Sequence, residues 1–236
     1  MPNQPSPKRT LTVSHGNILA VYFMASDAEK VAGNAWYNDA RDIAIRIGND
    51  CGISVAKAAG VISALSPNNR WERNVIDARQ VCELYARTQP ENLTQFSGHP
   101  IKVCTYGANL QKAEKILLLD PGAGVKEICS ILNGLKTSAF FQCIVGVPHK
   151  VVVDVHSYSV WAGKRYTSRL VPSSLASSRS TYERICEDYD TALEYIKQVD
   201  HDPLIQDWGA AQLQATTWLT WRRLIKENQE MVNDDA

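Results

Sequence analysis

Apolar residues recur at helical spacing in one segment after another of this chain, and that periodicity restricts it to an all-α fold. Val55, Ala58, Ala59, Ile62 and Leu65 mark one helix, with Ser54 placed to cap its start and Pro67 to stop it. Val125, Ile128, Cys129 and Leu132 form an i, i+3, i+4, i+7 stripe, which Asn133-Gly134 ends. The same spacing predicts helices over 28–49, 71–86, 110–119, 136–144, 181–198 and 207–226, and one opening after Asp154. Val151-Val152-Val153 is the one run that reads as extended, and the serine-rich stretch 169–179 reads as a loop.

A chain of 236 residues suits one large domain or two small lobes sharing a cleft. Residues 1–16 carry Pro2, Pro5 and Pro7 with Lys8 and Arg9, and are expected to be a disordered tail before a single domain over 17–236. That tail has no apolar h-region, and no apolar run approaches the ~20 residues that cross a bilayer, so a cytoplasmic monomer without membrane contact is expected. The six cysteines stand at least 14 residues apart with no Cys-x-x-Cys, and are expected to be reduced core thiols that bind no metal. Lys plus Arg (25) equals Asp plus Glu (25), so global charge neither supports nor excludes a nucleic-acid partner.

Chemistry concentrates between Ile131 and Arg165. The order is helix, Asn133-Gly134 turn, a helix opening on Lys136, a loop, the valine run, then Asp154 at the head of another helix. The positive end of a helix dipole favours a carboxylate and disfavours an ammonium, which suits an anionic Asp154 and an amine nucleophile at Lys136. An amine that attacks a sugar carbon and a carboxylate that stabilises developing positive charge form a coherent pair. Asp154 equally meets the requirements of a helix N-cap, so a structural and a chemical role are both open.

Lys136-Thr137-Ser138-Ala139 and Val153-Asp154-Val155-His156, eighteen residues apart from Lys136 to Asp154, resemble the signature of the helix-hairpin-helix DNA glycosylases. These include the endonuclease III-like and oxoguanine glycosylases. Ile62 to Asn69 is similar to that family's helix-ending segment, and Gly107 to Ala113 to its turn into a helix, in the same order. The likeness is strongest over 52–165. It implies a two-lobed fold with a central cleft, double-stranded DNA as partner, and a flipped-out target base. It makes Lys136 the Schiff-base nucleophile and Asp154 the essential carboxylate. It places Gly134 and His156 on the DNA backbone, and Asn68 and Asn69 in the gap left by the base. The hairpin is shorter than the family's two-glycine form. The C-terminal four-cysteine cluster of some relatives is absent, so no iron–sulfur cluster or other cofactor is expected.

Arg70 and Lys150, with Arg73, Lys102, Lys164 and Arg165, flank these blocks as candidates for phosphate contact. Trp71 and Phe140 are candidates to line a base pocket. The overall pattern resembles a branch found around phages and phage defence, which implies a modified pyrimidine, hydroxymethylated or glucosylated, and a roomy pocket of small residues. Two other functions fit the same sequence. One is a DNA base-modifying transferase or pyrophosphorylase on this fold, which leaves no abasic sites. The other is a non-catalytic DNA-binding module, which tolerates Asp154→Asn.

Overall fold

The computed structural model of the chain describes residues 12–88, 101–167, 169–170 and 178–234. They are helical, with no β-strand among the described residues. The elements are α1 (Val13–Phe23), α2 (Asp27–Cys51), α3 (Val55–Leu65), α4 (Trp71–Arg87), α5 (Gly107–Leu117) and α6 (Val125–Leu132). They continue with α7 (Leu135–Ile144), α8 (Val155–Ala162), α9 (Arg179–Val199), α10 (Pro203–Gln206) and α11 (Ala210–Asp234). Two compact units divide the chain: one of 1–34 and 153–236, the other of 35–152. No described helix is long and apolar enough to cross a membrane.

In the first unit α1 packs on α8, α9 and α11, and α11 packs on α8 and α9. Ile18, Leu19, Val21 and Tyr22 are the buried side of α1. Asp188 of α9 ties three helices together. Its Oδ1 lies 2.8 Å from His15 Nε2, and its Oδ2 accepts from Trp161 Nε1 at 2.6 Å. Gly33 of α2 lets the Thr216 backbone of α11 come close: a Cβ there would lie 2.7 Å from Thr216 Cα and N.

In the second unit α3 is the central helix, packed by α4, α5, α6 and α7. Its sequence is apolar on nearly every side, so every residue from Lys57 to Leu65 is buried. Ser54 caps it by accepting from the Lys57 N–H at 3.2 Å. Lys57 is the exception to apolarity. Its ammonium donates to the carbonyls of Leu117, at 2.9 Å, and Leu119, closing the end of α5. Burial lowers the Lys57 pKa, and the Asp120 carboxylate opposes that shift. Lys57→Met should cost about 2 kcal/mol at neutral pH by leaving buried carbonyls unsatisfied. Because the unfolded chain holds the Lys57 proton more tightly, wild-type stability relative to Lys57→Met should rise as pH climbs from the depressed folded value towards the ordinary lysine value. Denaturant melts of both proteins at several alkaline pH values check the slope.

Three expectations change. Residues 13–16 are helix rather than tail, because Thr12 and His15 cap each other reciprocally: Thr12 N–H donates to His15 Nδ1 at 2.7 Å. Residues 1–11 of that expected tail lie outside the described residues, as do 168 and 171–177 of the serine-rich stretch and its flank. Val151–Val153 is buried but is not part of a β-strand; the Val153 N–H donates to the Tyr182 hydroxyl at 3.0 Å. Of the cysteines, Cys51, Cys82 and Cys143 are core residues, whereas Cys104 is exposed and Cys129 and Cys186 are half-buried.

Candidate active site

Asp154 is the N-cap of α8, in extended backbone directly after the buried valine run. Its Oδ1 accepts from the N–H of His156 at 2.9 Å, the N–H of Ser157 at 2.8 Å and the Ser157 hydroxyl at 3.1 Å. Its Oδ2 accepts from the indole N–H of Trp218 at 3.0 Å. Four donors thus fix a half-buried carboxylate. His156 sits in the first turn of α8, its ring edge-on to Trp218 with centroids 6.2 Å apart. The guanidinium of Arg222 lies 4.4 Å above the Trp218 ring. Asp154, His156, Trp218 and Arg222 therefore form one cluster within the first unit.

Lys136 belongs to the second unit. α6 and α7 are joined by Asn133 and Gly134 alone, and Asn133 makes the reversal in the left-handed region (φ 45). Asparagine tolerates that conformation better than other non-glycine residues. Gly134 is the N-cap of α7, and no side chain caps that helix. Lys112 closes α6 by donating to the Leu132 carbonyl at 2.6 Å. Lys136 follows in the first turn of α7, exposed and with no side-chain partner among the described residues.

Asn68 and Asn69, predicted as a pair, part company. Asn68 is exposed, with positive φ (56), and its amide donates to the Tyr106 hydroxyl at 2.7 Å. Asn69 is half-buried and turns inward, its amide donating to the carboxylate of Asp77 at 2.9 Å. Asp77 is fully buried and also accepts from Arg73 Nε at 2.7 Å and from the Cys104 N–H at 2.8 Å. It organises both loops that present Asn68 and Tyr106. Arg73 is tied into this network, whereas Arg70, the N-cap of α4, is exposed. Lys150 is half-buried before the valine run.

Trp71 and Phe140 do meet, with centroids 6.2 Å apart, and Trp36 and Tyr37 complete the cluster. Phe140 is only 9% exposed, so its ring is packing and not a free stacking surface. Trp71 and Trp36 are half-buried. A surface hollow of about 500 Å³ is lined by Arg73, Gln80, Glu83, Leu84, Arg87, Ile101 and Lys102. Neither Trp71 nor Phe140 lines it, and its wall is not one of small residues. Among the described residues, no three His, Cys, Asp or Glu side chains are placed to hold a metal.

The model of a family of unknown function, DUF7178, matches residues 2–224. The chain belongs to that family. No curated protein and no solved structure matches it. The DUF7178 match takes in Lys136, Asp154, Trp218 and Arg222 alike, and leaves their chemistry to be argued from the residues themselves.

The pattern of the sequence did not single out Trp218, Arg222 or Tyr106 for the site. One signal was present: Gln214, Trp218 and Arg222 recur at i, i+4, i+8, a polar-tipped stripe on α11. All three lead to the head of α8. Gln214 Nε2 donates to the Ser157 hydroxyl at 3.0 Å, one bond from Asp154.

Proposed function

We propose that this DUF7178 protein is a DNA glycosylase on a helix-hairpin-helix fold, with Asp154 and Lys136 as its reactive pair. The observation that carries the proposal is the Asp154 carboxylate, fixed at the head of α8 by four donors. A carboxylate so held is prepared to stabilise positive charge without reorganising as the charge develops. The short α6–α7 hairpin, opening onto an exposed Lys136, supports the same reading.

In the proposed reaction a nucleotide is flipped out of the duplex, because C1′ is inaccessible while the base is stacked. The C1′–N bond breaks with its electron pair leaving on the base, and the Asp154 carboxylate stabilises the cationic sugar. Attack at C1′ by water leaves an abasic site. Attack by the Lys136 amine instead joins its nitrogen to C1′; the C1′–O4′ bond then opens, O4′ takes up the proton that the nitrogen gives up, and the resulting imine permits β-elimination that cleaves the strand. Neither route calls on a metal or cofactor. The substrate class we propose is a modified pyrimidine, hydroxymethylated or glucosylated.

Incubation with hydroxymethylated and glucosylated phage DNA should accumulate abasic sites. Intact DNA that is bound but not depurinated or depyrimidinated would point to a base-modifying transferase or a binding module. Borohydride should trap a covalent adduct of wild-type protein and DNA, and Lys136→Ala should lose both the adduct and strand cleavage. An adduct that persists in Lys136→Ala would assign the amine elsewhere.

A further inference from the structure

An ionised carboxylate offers about four acceptor directions, two on each oxygen. On Asp154 the Oδ1 directions are filled by the His156 and Ser157 amides and the Ser157 hydroxyl. Among the described residues, Oδ2 receives a single donor, Trp218 Nε1, at 3.0 Å. One direction on Oδ2 is therefore left for a substrate, and Trp218 determines which one. The indole is itself held in place. The exposed Arg222 guanidinium stacks on its face, and the His156 ring meets it at an interplanar angle of 84°.

We propose that Trp218 is a positioning residue that orients the Asp154 carboxylate, leaving one acceptor direction of Oδ2 for the developing positive charge on a substrate. Trp218 itself touches no reacting atom; it acts through Asp154. Arg222 contributes by fixing the ring plane. The proposal rests on the glycosylase role of Asp154 given above.

Trp218→Phe tests this role, because it keeps an aromatic ring between Arg222 and His156 while removing the N–H along with one ring of the indole. Single-turnover base release should fall about tenfold, the effect of losing one hydrogen bond to a charged group. Affinity for duplex DNA and the melting temperature should change little. Added to Asp154→Asn, Trp218→Phe should cause no further loss, since the two side chains act as a unit. An unchanged rate, or an equal loss in the Asp154→Asn background, would overturn the proposal while leaving the glycosylase function standing. If the wild type releases no base from any DNA, the glycosylase function fails by itself. The positioning proposal is then decided by the Trp218 indole ¹H–¹⁵N resonance. It should move in Asp154→Ala while the other tryptophan indoles hold still, and a Trp218 signal indifferent to that change would overturn it.

Discussion

Asp154→Asn should leave the protein folded and lower base release by on the order of 10²- to 10³-fold, the usual effect of removing a preorganised electrostatic stabiliser. The substitution separates the two roles this residue can fill. As an N-cap, asparagine is about as good as aspartate, so its Oδ1 can still take the amides of His156 and Ser157. What it loses is the charge, together with one acceptor oxygen: an amide N–H₂ then faces Trp218 Nε1, donor against donor. Asp154→Ala, by contrast, should also destabilise the fold by about 1 kcal/mol through the lost cap. Melting curves and single-turnover rates for both variants distinguish the cases. If Asp154→Asn kept the wild-type rate, Asp154 would be a cap and nothing more.

Gly33→Ala should destabilise the protein by about 3 kcal/mol, the upper end of what overpacking ordinarily costs. In an unconstrained helix the same change would stabilise, since alanine is the better helix former by roughly 1 kcal/mol. The sign is set by what the methyl meets. It would lie 2.0 Å from Thr216 Oγ1, which can rotate, and 2.7 Å from Thr216 Cα and N, which cannot. Thr216 is itself fully buried, so α11 has no room to yield except by moving away from α2. Trp218 lies two residues further along α11, and a displaced α11 should also weaken its bond to Asp154. Denaturant unfolding measures the first effect and the Trp218 indole resonance the second. A variant as stable as wild type would contradict the close approach of these helices.

The elements legible in the sequence are those whose boundaries are written locally. Ser54 and Pro67 bracket α3, and Asn133-Gly134 ends α6, because caps and breakers act within a few residues. Asp154 was legible for the same reason: an aspartate just before an apolar helix is a local signal, and the structure places it as the cap of α8. α1 escaped notice because its N3 partner is His15, where a capping box ordinarily carries Glu or Gln. The valine run reports burial faithfully, but a strand needs a second chain segment to pair with, and periodicity says nothing of that. The surroundings of Asn69 and Trp218 are set by tertiary partners that no local pattern announces. Asp77 takes the amide of Asn69 into the core, and the bond from Trp218 to Asp154 spans 64 positions. Helical spacing alone could show that Gln214, Trp218 and Arg222 share a face, but not that the face meets α8.

In the proposed reaction Asp154 drives the release of a base from DNA. The most direct test of that role is mass-spectrometric detection of free base after incubation with unmodified, hydroxymethylated and glucosylated DNA, comparing wild type with Asp154→Asn. The wild type should yield a free modified pyrimidine and matching abasic sites, both lost in Asp154→Asn. Release of no base from any of these DNAs, or equal release by the two proteins, would contradict it.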